Sequence, residues 1–169
     1  MCLSSKSEVK FGSADVFYGY KVFLIDRNGL LVSPFKLSKK IPFKFSESLQ
    51  WKNCNVSGNS GFYSFLNCKD AENFEDTEGA GYTVHHGRFI TLEVGLSNVT
   101  HFGMNATSEA CLISKTIYIS NYVKFRNFIH ANRDSNYFKA GVEKIASMSF
   151  WEYNDYVDTF KDYNFYAHN

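Results

Sequence analysis

The sequence predicts an α+β fold, a mainly antiparallel sheet over residues 16–120 with C-terminal helices packed on it. Three observations carry this expectation. Between Arg88 and Leu96, the residues Ile90, Leu92, Val94 and Leu96 alternate with Phe89, Thr91, Glu93 and Gly95. That is the period of a half-buried strand, with the aliphatic set facing the core. Asn28-Gly29 lies between the apolar runs 16–25 and 30–32, and both residues tolerate the positive φ of a tight hairpin turn. After Asn121 the period changes, and Tyr122, Phe125, Phe128 and Ile129 recur at helical spacing.

The elements follow in order. Residues 1–15 read as a polar tail, residues 16–162 as a single domain and residues 163–169 as a C-terminal tail; a chain of 169 residues is long enough to bury one substantial core. Residues 16–33 form the hairpin, closed by Pro34. Lys36, Lys39, Lys40 and Lys44, with Arg27 nearby, make a basic run. No arginine interleaves with aromatics there, so it reads as a solvated loop beside an edge strand, where lysine discourages edge pairing. Asn53 to Gly61 is loop, Phe62 to Leu66 a short strand, and Asn67 is placed to cap a helix over 70–75 with acid in its first turn. Further strands are expected at 82–85, 88–96, 99–102 and 116–119. The last third offers one to three helices between 121 and 162. In it Val142, Ile145, Ala146 and Met148 form one apolar set, and Ser149 caps a segment carrying Tyr153, Val157 and Phe160.

Composition narrows the function classes. The net charge of +1 supplies no broad field toward nucleic acid or an anionic membrane, so a nucleic-acid partner is not expected. No apolar run reaches membrane-spanning length, and residues 1–10 lack the apolar stretch of a secretory signal, so a cytoplasmic location is expected. The cysteines at 2, 54, 68 and 111 are far apart and are expected as free thiols, mostly buried. The glycosylation sequons at Asn55, Asn98 and Asn105 fit chance occurrence in an Asn-rich chain. Aromatic residues make up 18% of the chain, with 17 Phe and 11 Tyr against 2 Pro. Phe, Tyr, Asn, Lys and Ile share AT-rich codons, so a biased genome explains this more simply than an aromatic binding surface, aromatics being good strand and core residues in any case.

Several constellations invite a chemical reading. His85, His86 and His101 suggest a metal, but adjacent strand residues point to opposite faces, so at most two could converge. Cys111 with His101 and Glu109 permits a nucleophile and base, yet Cys111 sits among Ala110, Leu112 and Ile113 and reads as a buried thiol. Glu72, Glu75, Asp76 and Glu78 form an acidic cluster, most simply a solvated helix face. The chain contains no P-loop and no G-x-S-x-G motif.

Several short segments stand out: Gly19-Tyr20-Lys21-Val22, Gly61-Phe62-Tyr63-Ser64-Phe65, Asp70-Ala71, Val94-Gly95-Leu96, Val99-Thr100-His101, and Gly103 through Ala106, Glu109 and Ala110 to Ile119. Taken together they resemble a small uncharacterised domain of bacteriophages and mobile elements. The resemblance spans residues 17–120 and departs from the pattern at Tyr63, where histidine is usual. It implies a phage origin and a compact α+β fold, and no reaction. The same layout is also similar to ADP-ribosyltransferase domains, in which aromatics clamp nicotinamide and a glutamate orients the ribose. That similarity implies Tyr63, Tyr82 and Glu109 as site residues and NAD or ADP-ribose as ligand, although the first strand lacks the Arg or His with which such enzymes hold NAD.

The expected function is therefore non-enzymatic and cofactor-free: a phage-type protein binding a host protein or protein complex, as an inhibitor in host takeover or counter-defence. Its expected anchors are Glu72, Glu75, Asp76 and Glu78 together with Tyr153, Tyr156 and the aromatic tail to Tyr166. The alternatives are the nucleotide-using enzyme and a phage accessory protein that self-associates through exposed aromatics.

Overall fold

The computed structural model describes residues 5–8, 15–34, 42–50, 61–74, 88–105 and 107–160. The β-branched and aromatic run Phe17–Ile25 forms a strand numbered β2 here, because Ser5–Glu8 precedes it as β1. The Asp26 carboxylate organises the turn after β2, accepting the N–H groups of Asn28 and Leu30 at 2.9 Å each. Gly29 takes φ +77°, a conformation glycine adopts without steric cost. The chain returns as β3 (Leu31–Val32), pairing Leu24 with Val32 and Ile25 with Leu31. The hairpin forms where Asn28-Gly29 predicts it.

Two further strands complete the frame: β6 (Arg88–Met104) and β7 (Ala110–Ile119). β6 pairs with β2 from Phe17–Leu96 to Ile25–Arg88, and with β7 from Val94–Ile119 to Met104–Ala110. The strands expected at 88–96 and 99–102 are thus one strand. It bends at Asn98, which has φ +51° and whose amide donates to Thr116 Oγ1 at 3.0 Å. Within the expected polar tail, β1 pairs antiparallel with residues 101–104 of β6, so part of that tail belongs to the sheet. β4 (Ser48–Gln50) and β5 (Phe62–Phe65) both pair with β7, and β5 also meets β2 at Tyr20–Phe65. The circuit β2–β6–β7–β5 therefore closes on itself.

Closure brings backbones very near one another. A Cβ on Gly19 would lie 2.8 Å from the Phe65 carbonyl oxygen, and one on Gly61 2.8 Å from that of Ser114. Glycine is what lets β5 seat between β2 and β7. Ile90, Leu92, Val94 and Leu96 are buried as their period predicts. Phe89 and Thr91, on the alternate face, are buried too, which strand periodicity alone does not foresee. Lys124, from the first turn of a C-terminal helix, reaches this stretch of the strand and donates to the Thr91 carbonyl at 2.6 Å.

The helices are α1 (residues 68–74), α2 (Tyr122–Ala131) and α3 (Phe150–Asp158), with a 3-10 turn at Val142–Ser147. Each α-helix begins on a side-chain cap. Asn67 Oδ1 accepts from Lys69 N, Asn121 from Lys124 N, and Ser149 with Glu152 forms a reciprocal capping box. Phe45, Tyr122, Phe125 and Tyr153 interlock with ring centroids 4.9–6.0 Å apart, joining α2, α3 and the segment before β4. The C-terminal helices are therefore packed on the sheet, as expected of the α+β fold. No helix among the described residues is long and apolar enough to cross a membrane.

Buried Asn154 holds both backbone polar groups of Phe45, accepting its N–H at 2.9 Å and donating to its carbonyl at 2.8 Å. Asn154→Ala leaves those groups buried and unpaired, and should lower the unfolding free energy by about 2–4 kcal/mol in urea titration. Ser64 behaves oppositely. Its hydroxyl is buried with no hydrogen-bond partner among the described residues, so Ser64→Ala should leave stability unchanged or raise it by about 1 kcal/mol in the same titration.

Candidate functional site

Two of the three residues of the enzyme reading, Tyr63 and Glu109, are among the described residues. Tyr63 is half-buried on β5, opposite Ile113. Glu109 closes the turn between β6 and β7, where its carboxylate accepts from Asn105 Nδ2 at 3.0 Å and from the Thr107 hydroxyl. Ile113 and Glu109 are four positions apart, about 13 Å along an extended chain. Tyr82 lies outside the described residues.

The expected binding anchors also divide. Glu72 is exposed on α1 beside the Cys68 thiol, which donates to it at 3.4 Å. Glu75, Asp76, Glu78 and the aromatic tail beyond residue 160 lie outside the described residues. Tyr153 is a correction: it is 0% exposed, donating to the Gly29 carbonyl at 3.0 Å and accepting the Leu31 N–H at 3.3 Å. Tyr156 is half-buried and donates to the Asn28 carbonyl at 2.6 Å. Both phenols latch α3 to the hairpin turn, whose backbone groups would otherwise be buried unpaired. Tyr153 is structural and is not a surface anchor; Tyr156 shares the latch while part of it stays at the surface.

The remaining constellations resolve similarly. His101 Nδ1 lies 2.9 Å from Thr100 Oγ1, and His85 and His86 fall outside the described residues. Among the described residues no group of three His, Cys, Asp or Glu side chains could hold a metal ion. Cys111 is fully buried as expected, and burial, helped by the charges of Glu109 and Asp70, pushes its thiol up to about 12, away from thiolate chemistry. Of the basic run, Lys36, Lys39 and Lys40 fall outside the described residues. Lys44 is paired, 2.6 Å from Asp158 and 3.7 Å from Glu47.

A different site emerges from strand register. Tyr18 on β2 lies opposite Gly95 on β6, Gly95 opposite Tyr118 on β7, and Tyr118 opposite Ser48 on β4. Directly opposed residues share a face, so two tyrosines flank a glycine in one row. Tyr18 is 70% exposed and Tyr118 39%. The next row on one side holds Tyr20 and exposed Glu93; on the other it holds Ser97, Thr116 and Gln50. There the Thr116 hydroxyl donates to Gln50 Oε1 at 2.9 Å. Of these residues Tyr18, Ser48, Glu93, Gly95, Ser97, Thr116 and Tyr118 line a groove of about 320 Å³ on the outer face, near the lower end of the range for small-ligand pockets.

Gly95 is what opens the groove. Unlike Gly19 and Gly61, it has room for a side chain: a Cβ would meet only Tyr118, at an ordinary 3.8 Å. It does not adopt positive φ. A glycine inside a strand costs about 0.5–1 kcal/mol relative to alanine, and the backbone here does not require one. What the missing side chain provides is space between Tyr18 and Tyr118. The alternation of residues 88–96 already places Glu93 and Gly95 away from the aliphatic face. Only the register pairs them with the two tyrosines.

Lys21 is the other unusual group. It is 6% exposed within β2, donates to the Tyr63 carbonyl at 3.0 Å, and lies 5.8 Å from the Phe23 ring. Burial lowers its pKa to about 8, against a small opposing contribution from Cys111. Lys21 does not line the groove. No family model matches this chain, nor does any curated protein or solved structure.

Lys21 makes stability depend on pH. Its folded pKa of about 8 is below the ordinary 10.5, so above pH 8 the folded chain loses this proton while the unfolded chain keeps it. Stability then rises with pH. Cys111, Tyr122, Tyr153 and Tyr156 are all raised by burial, so they hold protons in the folded chain that the unfolded chain loses above pH 9–10, and stability falls there. The unfolding free energy should climb by about 1 kcal/mol between pH 7.5 and 9 and drop above pH 10. Urea titrations of Lys21→Met across this range should lack the climb and keep the drop.

Proposed function

We propose that this chain is a phage-type binding protein that engages a host protein through the outer-face groove between Tyr18 and Tyr118, without catalysing a reaction. The observation that carries the reading is the exposed Tyr18–Gly95–Tyr118 row, a built concavity at a position where the strand could have carried a side chain. Exposed tyrosines beside a groove are typical binding anchors, since they supply contact area at low entropic cost. The roughly 13 Å of extended strand between Glu109 and Ile113, the residue opposite Tyr63, weighs against the ADP-ribosyltransferase-like alternative. The phage assignment draws support from the AT-biased residue usage and the short segments between Gly19 and Ile119. Exposed Glu72 is placed on α1, and we assign it no part in the groove.

The test is quantitative affinity capture from bacterial host lysate, comparing wild type, Gly95→Val and Tyr18→Ala. One partner should be retained by wild type and reduced about tenfold or more by either substitution, with circular dichroism showing all three folded. Equal capture by all three proteins would remove the groove from the function. A rise in melting temperature with NAD or ADP-ribose would favour the enzyme instead.

A further inference from the structure

Resting on that reading, we infer that the groove receives a cationic side chain of the partner protein, an arginine held between Tyr18 and Tyr118 with its charge facing Glu93. Three observations on the same face converge on this guest. The first is spacing. Tyr18 and Tyr118 stand on strands two positions apart, about 9–10 Å between backbones. A planar group stacked between two rings needs roughly 7 Å, two contact distances of about 3.5 Å. A guanidinium is such a slab, and Gly95 puts no side chain between the two tyrosines, with the Tyr118 ring bordering the space a Cβ there would take, at 3.9 Å.

The second observation is charge. Glu93 is exposed in the row next to the tyrosine pair, and no lysine or arginine is among the described residues lining the groove. Phosphate-bearing guests would meet a carboxylate with no cation to offset it. A cation meets a carboxylate and two tyrosine rings, whose faces attract positive charge. The third is hydrogen-bonding capacity. A guanidinium is a pure donor with five N–H groups. The groove offers it acceptors in the Glu93 carboxylate and the hydroxyl oxygens of Ser48, Ser97 and Ser120.

The experiment is an NMR titration of the full ¹⁵N-labelled chain with N-acetyl-arginine amide, run beside its citrulline counterpart, which keeps the planar shape and removes the charge. Arginine amide should move the amide resonances of Gly95, Ser97 and Tyr118 saturably. It should bind roughly threefold to thirtyfold more tightly than the citrulline compound, the range a cation over aromatic faces supplies. Glu93→Gln should narrow that gap, and Gly95→Val should abolish the shifts. Gly95→Ala, whose Cβ fits at ordinary contact distance, should weaken them while the protein stays folded. Equal affinity for arginine and citrulline amides, shifts confined to other regions, or an absence of shifts overturns the assignment. The two readings fail separately. Partner capture that is sensitive to Gly95→Val without arginine binding keeps the groove and removes this guest, whereas capture that is insensitive to Gly95→Val removes the groove itself.

Discussion

The fold depends on one constraint, that a single long strand must satisfy three partners. β6 runs 17 residues, shares its first half with β2, its second half with β7 and its end with β1. A straight strand could not turn from one partner to the next while keeping apolar residues inward on both halves. The left-handed residue Asn98 supplies the bend and the register shift that follows it. With β6 bent, β2 and β7 are brought around until β5 bridges them, and the sheet closes at Tyr20–Phe65. Gly19 and Gly61 make that last approach possible, since any side chain there would strike a carbonyl oxygen.

The closed sheet explains where polar groups and helices go. The tight β2–β3 turn has backbone groups inside the core, and α3 reaches them with Tyr153 and Tyr156. Asn154, one residue after Tyr153, does the same for Phe45. Consecutive residues of a single short helix therefore tie together segments more than a hundred positions away in sequence. Along the face of β6 that carries Phe89, Thr91, Glu93 and Gly95, the first two residues are buried and Glu93 is exposed, and the groove lies at the Glu93–Gly95 end.

Aromatic richness has two structural outcomes in this chain. Phe45, Tyr122, Phe125 and Tyr153 are core residues, interlocked and dry. Tyr18 and Tyr118 are outside, on either side of a glycine. Composition treats these residues alike, and residue type does not distinguish them. Tyr153, expected as a surface anchor, turned inward, where its phenol serves two backbone groups at Gly29 and Leu31. Tyr18 stayed out because the register of β2 on β6 places it, with Gly95, on the outer face.

Local physics made much of the architecture legible in the sequence. The Asn28-Gly29 turn, the alternation of residues 88–96, the Asn121 and Ser149 caps, the apolar stripe of α2 and the buried thiol of Cys111 all follow from interactions within a few residues, so neighbouring residue types alone determine them. The union of two expected strands into β6, the pairing of β1 inside an expected tail and the burial of Tyr153 required contacts between distant segments. The groove is of the second kind. Residues 18, 93, 95 and 118 come together only through the register of three strands, and a slip of one position would turn each side chain to the opposite face. The sequence by itself determined that these residues lie on strands. Tertiary structure alone decided that they share a face, because register is set by the closing of the whole sheet and by no local pattern.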